Sequence, residues 1–279
     1  MARQRLGQHF LADADWREQI ARAIRVSAHS PEFAALSDRT KNGAYSWIEI
    51  GAGHGEMTEY LAATGASVTA IEIDPPLVRR LKELSRRFPN LHVVSSDVLK
   101  ADIAEIAAGR RVRVYGNLPY YITSPILHHL FGFASIIDEI HIMIQLEVAE
   151  RLAAHPGGRE YGYLSVATQL YSRPELVMEV PRGAFDPPPE VASALVTLRL
   201  PGQDEKIGIV DREKLLEFVK VCFAQKRKTL VNNLKTLGKV EGIRAALEKC
   251  GLRADARAEQ LSVGEFAALW RELSGENAG

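Results

Sequence analysis

Between residues 47 and 115 the chain alternates short β-type runs with amphipathic stretches, and this alternation leaves few folds open. The runs at 47–50, 67–73, 91–94 and 112–115 read as strands. Residues 75–87 read as a helix with Leu77, Val78, Leu81 and Leu84 on one face. Strand–helix alternation of this kind predicts an α/β fold, a mostly parallel sheet covered by helices on both faces. Further strands are expected at 136–145, 175–180 and 191–200. A helix is expected after Ser124 as N-cap with Pro125 in its first position, and another over 146–153. With 279 residues, 46% hydrophobic and 25% charged, the chain can fill one large core or two modest ones.

The polar segment Pro201-Gly202-Gln203-Asp204-Glu205 is the expected domain boundary, dividing residues 1–203 from an all-helical 204–279. In the second part Leu215, Leu216, Val219, Cys222 and Phe223 make one apolar face, and Leu230, Leu234 and Leu237 another. Cys222 on that stripe reads as core. With only Cys222 and Cys250 present, neither a disulfide framework nor a cysteine zinc cluster is expected, which suits a reducing cytoplasm. No signal peptide, membrane span or metal is expected, and the protein is expected to be soluble, cytoplasmic and monomeric. The formal net charge is zero, yet between Lys214 and Lys239 seven basic residues face one acid, Glu217, and Arg3 and Arg5 form a basic arm. By itself the run reads as a solvated helix face, with a nucleic-acid contact as the alternative.

Directly after the first predicted strand comes Glu49-Ile50-Gly51-Ala52-Gly53-His54-Gly55. Glycines here let a ligand pass close to the backbone, as in nucleotide-binding turns. In the dinucleotide fingerprint the third glycine would stand where Glu56 is. A carboxylate there opposes a pyrophosphate but tolerates S-adenosylmethionine, which carries none. Glu72, about 20 residues on, can accept from ribose hydroxyls, and Asp97, after the 91–94 strand, can accept from an adenine amino group. Each acid alone reads as a surface carboxylate; the three elements in order point to a nucleoside cofactor.

The 112–115 strand runs into Gly116-Asn117-Leu118-Pro119-Tyr120. The lone pair of an adenine amine is delocalised into the ring, so the nitrogen attacks poorly. Acceptors on its two hydrogens, here the Asn117 side-chain oxygen and the Leu118 carbonyl, draw it toward tetrahedral geometry. Pro119 stiffens the turn, and Tyr120 offers a ring on which a base can stack. Phe185, in Phe185-Asp186-Pro187-Pro188-Pro189, either supplies a second ring for a flipped base or packs into the core. An activated methyl needs no covalent nucleophile, and neither cysteine lies near this loop.

Taken with Gly7-Gln8-His9-Phe10-Leu11 and Gln225-Lys226-Arg227-Lys228-Thr229-Leu230, these motifs closely resemble the small-subunit ribosomal RNA adenine dimethyltransferases over nearly the whole chain. The resemblance implies a Rossmann-like class I S-adenosylmethionine methyltransferase sheet with a smaller helical C-terminal domain that binds RNA. It implies transfer to two adjacent adenosines of a small-subunit (16S) rRNA hairpin, giving N6,N6-dimethyladenosine, and a role in biogenesis on immature small subunits. It implies cofactor contacts from His9, Leu11, Gly51, Gly53, Glu72, Asp97 and Asn117. RNA contacts are implied for Lys226, Arg227, Lys228 and Lys235 on a helix whose leucines face inward. The nearest alternatives are a large-subunit adenine-N6 methyltransferase and a mainly non-catalytic rRNA-binding assembly factor. The chain departs from the family pattern at Tyr121, where Asn is usual, at Ala52, where Pro is frequent, and in a long polar stretch over 27–46.

Overall fold

The structure, a computed structural model, describes residues 9–26, 45–203, 207–208 and 211–275. The basic arm with Arg3 and Arg5, the Gly7-Gln8 pair and nearly all of the 27–46 stretch lie outside the described residues. In chain order the elements are β1 (Phe10–Leu11), α1 (Ala14–Ala23), β2 (Tyr45–Ile50), α2 (Thr58–Ala63), β3 (Val68–Glu72), α3 (Pro75–Leu84) and β4 (Leu91–Ser95). There follow α4 (Ile103–Ala107), β5 (Arg111–Asn117), α5 (Thr123–Phe131), β6 (Ile137–Gln145), α6 (Leu146–Ala153), α7 (Tyr163–Tyr171), β7 (Arg173–Val180), β8 (Phe185–Asp186) and β9 (Ser193–Arg199). The chain ends with α8 (Arg212–Cys222), α9 (Leu230–Leu234), α10 (Val240–Lys249) and α11 (Val263–Ser274).

Seven strands form one sheet in the order β4-β3-β2-β5-β6-β9-β7. The five from β4 to β6 pair in parallel, and β9 lies antiparallel to β6. β3 is buried along its whole length, as expected of a parallel strand covered on both faces. From β2 the chain winds outward through β3 to β4, then returns to place β5 on the other side of β2. The neighbours β2 and β5 thus flank the point where strand order reverses, and ligands of open parallel sheets bind at the carboxyl ends of the strands there.

The chain divides into two compact units, Met1–Ala149 with Glu175–Leu200, and Glu150–Pro174 with Pro201–Gly279. The sequence boundary at 203/204 misassigns residues 150–174, because α7 packs against α8 and α11. Ser165 to Tyr171 is buried throughout, and the Tyr161 hydroxyl donates to the Leu261 carbonyl at 2.9 Å. An amphipathic pattern shows that α7 has an apolar face but not which helices cover it.

Three local expectations are corrected. Residues 120–122 form a 3-10 turn that runs into α5 at Thr123, so Ser124 and Pro125 are the second and third residues of the helix. Proline is tolerated there because the first N–H groups of a helix have no intrahelical acceptor. Lys226, Arg227 and Lys228 lie on a turn closed by the Lys228 N–H donating to Gln225, not on a helix. Leu237, beyond the end of α9, is 55% exposed instead of joining the inner face of Leu230 and Leu234. Cys222 is core as expected, and burial pushes its thiol well above the usual range.

Candidate active site

Gly51, Gly53 and Gly55 follow β2 with φ of 64°, 60° and 92°, a region that side chains other than glycine rarely enter. A Cβ at Gly53 would also crowd the Phe10 ring at 3.1 Å. The loop is anchored by Glu72 at the end of β3. One carboxylate oxygen accepts from the Gly53 N–H at 3.0 Å, the other from the N–H groups of Ile73 and Asp74 at 2.8 and 2.9 Å. A carboxylate offers about four acceptor positions. Three are engaged, so holding both ribose hydroxyls would cost one of these backbone bonds. Asp97 caps the 3-10 turn at 98–100 through the Leu99 N–H at 3.0 Å with one oxygen, which leaves the second for a ligand.

At the end of β5, Gly116 pairs with Ile50. A Cβ at Gly116 would stand 2.7 Å from Leu118 Cδ2 and 3.2 Å from the Ile50 carbonyl, so a side chain here would force Leu118 to shift. Leu118 is held by its N–H donating to the Met143 carbonyl at 3.0 Å. The Pro119 carbonyl accepts from the Ile122 N–H and the Thr123 hydroxyl, which fixes the turn. Asn117 donates through Nδ2 to the His9 carbonyl at 2.8 Å. A carbonyl only accepts, so this bond sets which way round the amide sits and leaves Oδ1 as an acceptor. The imidazole Nδ1 of His9 is 2.8 Å from the Pro187 carbonyl. β1 pairs with β8, Phe10 opposite Asp186 and Leu11 opposite Phe185. The segment before α1 therefore clamps the Asn-Leu-Pro-Tyr loop to the proline-rich loop.

A small cavity of about 30 Å³ lies between the glycine turn and Asn117, lined by Phe10, Leu11, Gly51, Gly53 and Asn117, with Glu49, Ala52, Glu56, Met57 and Tyr115 completing its wall. Five of the sequence-predicted residues are thus joined or adjacent here: Leu11, Gly51, Gly53, Asn117 and, through the Gly53 N–H, Glu72. His9 joins them through Asn117. Asp97 stands apart on the β4 side, its loop tied to β3 by the Ser96 N–H donating to the Glu72 carbonyl.

Phe185 must be corrected. Its ring is only 3% exposed and belongs to the core with Leu11, Met57, Tyr115 and Met143. It presents no face on which a base can stack and serves to hold β8 against β1. The Tyr120 side chain lies outside the described residues. Sequence reasoning gave no role to Glu49 or Tyr115, both 2% exposed and opposite one another in the β2–β5 register. The available signal was an acid between Ile48 and Ile50 in a strand buried on both faces, a place charged residues almost never occupy unpaired.

Burial pushes the Glu49 carboxyl up to about 8; the Thr58 hydroxyl, donating to it at 2.5 Å, counters only part of this, and Glu56 and Glu72 push it further up. Burial likewise raises the Tyr115 phenol, with Glu49 and Glu56 adding to the effect.

The strand order, the glycine turn at the reversal point and the Asn-Leu-Pro-Tyr loop beside it together define a Rossmann-like methyltransferase fold. The chain belongs to the ribosomal RNA adenine dimethylase family, whose model matches residues 1–274. It is 44% identical to the ribosomal RNA small subunit methyltransferase A of Acidobacterium capsulatum, over 83% of this chain and 82% of that one. It is 38% identical to the protein of that name from Koribacter versatilis, over 96% and 93%. Among solved structures, a dimethyladenosine transferase from Plasmodium falciparum superposes with a TM-score of 0.71 at 24% identity, over 86% of this chain and 96% of that one. The 23S rRNA methyltransferase ErmE superposes at 0.65 and 26% identity, over 95% and 99%.

Proposed function

We propose that this chain transfers methyl groups from S-adenosyl-L-methionine to the N6 amines of two adjacent adenosines in a small-subunit rRNA hairpin, acting on the immature small subunit during its biogenesis. The observation that carries the reading is the Asn117 amide, turned by the His9 carbonyl so that its oxygen is left to accept. The residues fit a cationic nucleoside donor. The acids around the glycine turn, Glu49, Glu56 and Glu72, suit a positive charge and oppose a phosphate. Gly51 and Gly53, with Leu11 and His9 on the β1 side, would hold the donor, Glu72 a ribose hydroxyl and Asp97 the adenine amino group. The bound donor supplies a methyl group already activated by its sulfonium.

Asn117 Oδ1 and the Leu118 carbonyl would each accept one hydrogen of the target amine, drawing its lone pair out of conjugation. Positioning of this kind replaces a bimolecular encounter, and no general base is required, because the methylated amine is acidic enough to lose its proton to water. Pro119 holds the Leu118 carbonyl in place, and Tyr120 remains the proposed stacking surface. The exposed cations Lys226, Arg227, Lys228 and Lys235 of the helical unit supply phosphate contacts. Lys226 anchors its turn by donating to the Arg159 carbonyl at 2.7 Å.

Undermethylated small subunits incubated with the protein and labelled donor are expected to yield labelled N6,N6-dimethyladenosine, read by nucleoside mass spectrometry. Label entering large-subunit RNA alone would reject the assignment. Replacing Lys226, Arg227 and Lys228 together by Ala is expected to weaken RNA binding and to lower its salt slope by roughly 0.7 for each phosphate no longer neutralised. An unchanged slope returns the turn to a solvated surface.

A further inference from the structure

Glu49 enters none of the steps above, yet it lines the small cavity between the glycine turn and Asn117. Its surroundings are unusual for a buried carboxyl. Thr58, at the start of α2, donates to Glu49 Oε2. Glu56 approaches from the glycine turn and Glu72 from β3, and both act on Glu49 as negative charges. From β5 come Tyr115 and Asn117, and from β1 only the apolar Phe10 and Leu11. Among the described residues, no Lys, Arg or His lines the cavity. The Tyr115 hydroxyl, fully buried, has no hydrogen-bond partner among the described residues and belongs to a residue of the cavity wall. Carboxyls gathered without a cation, beside an unanswered hydroxyl, describe a site short of one positive charge.

We propose that Glu49 is a neutral carboxylic acid in the free protein and gives its proton to the solvent when the cationic end of the methyl donor enters beside it, so that donor binding is coupled to proton release. The inference rests on the S-adenosylmethionine reading above. In the free protein a neutral Glu49 avoids a buried, unpaired anion. With a cation alongside, the ionised form gains a partner, and the Tyr115 hydroxyl gains a charged acceptor within the same cavity. Two cationic groups of the donor have the required chemistry, the α-ammonium and the sulfonium. S-adenosylhomocysteine keeps the first and lacks the second.

The test is calorimetric binding of S-adenosylmethionine and of S-adenosylhomocysteine to the full-length protein, near neutral pH, in buffers of different ionisation enthalpy. Close to one proton released per donor bound is expected, together with affinity that rises up to about tenfold per pH unit between about pH 6 and 7.5. Release with both ligands assigns the α-ammonium as the cation, and release with S-adenosylmethionine alone assigns the sulfonium; either supports the proposal. Glu49→Gln, which keeps an acceptor for Thr58, is expected to abolish the release and to leave only the ligand's own titration. Binding of both ligands with no proton release by the wild type overturns the proposal while leaving the donor reading intact. So does an unchanged release in Glu49→Gln. Failure of S-adenosylmethionine and S-adenosylhomocysteine alike to bind removes the donor reading and this proposal with it.

Discussion

Glu49 and Glu139 are both buried glutamates on parallel strands of the same sheet, and they are treated in opposite ways. Glu49 stands near the carboxyl end of β2, beside two further carboxylates and a phenol with no hydrogen-bond partner among the described residues. Glu139 stands near the start of β6, where Arg25 binds it through Nη2 at 2.5 Å, Arg199 approaches at 3.4 Å, and Arg113 and His141 at 3.5 Å. Burial alone would raise Glu139 as it raises Glu49; His141, Arg113 and Arg25 outweigh it and hold the carboxyl down to about 2. Burial in turn lowers the His141 imidazole despite its acidic neighbour. The amino-terminal side of the sheet therefore compensates its charges internally. The carboxyl-terminal side leaves charge and acceptors unmatched, which is what a ligand site requires.

That contrast can be broken experimentally. At the ligand side, Asn117→Ala is expected to lower methyl transfer by on the order of 10²–10³-fold, as for removal of one preorganised polar group. The melting temperature should fall by no more than a few degrees; undiminished turnover would remove Asn117 from the mechanism. At the opposite side, Glu139→Ala leaves the guanidinium groups of Arg25 and Arg113 without their carboxylate. Denaturant unfolding should then show a loss of about 3 kcal/mol, the lower part of the range for a broken buried pair, because Glu139 keeps 11% side-chain exposure. Donor affinity should be unchanged, and a changed affinity would mean that the two sides are not independent.

The sharpest test of the comparison is the pH dependence of stability. Glu139 is more acidic folded than unfolded, so its stabilisation is complete above about pH 4.5 and is lost as the pH falls toward about 2. Glu49 is less acidic folded than unfolded, so its contribution is complete below about pH 4.5 and is lost as the pH rises toward about 8. Thermal melts of the ligand-free protein should show wild type losing ground to Glu49→Gln between those two values. Parallel curves would remove the neutral carboxyl.

Much of this arrangement is legible in the residues. Alternation of strands and amphipathic stretches specifies the parallel sheet, because a strand buried on both faces and a helix buried on one carry different periodicities. The strands at 47–50, 91–94 and 112–115 fall within β2, β4 and β5, and the helix over 146–153 matches α6. The glycine turn and the Asn-Leu-Pro-Tyr loop declare themselves by local chemistry: positive φ at Gly51 and Gly53, and a proline-stiffened turn after β5.

What sequence could not decide were matters of partnership between distant segments. Phe185 is core and not a stacking face because β1, more than half the chain away, pairs with β8 and carries Leu11 opposite it. Residues 150–174 belong with the helical unit because α8 and α11 cover α7. Glu49 and Glu139 are alike as letters, and only the segments brought beside them make one neutral and the other an anion. Local conformation is written in adjacent residues, whereas charge state and burial are set by neighbours that only the folded chain supplies.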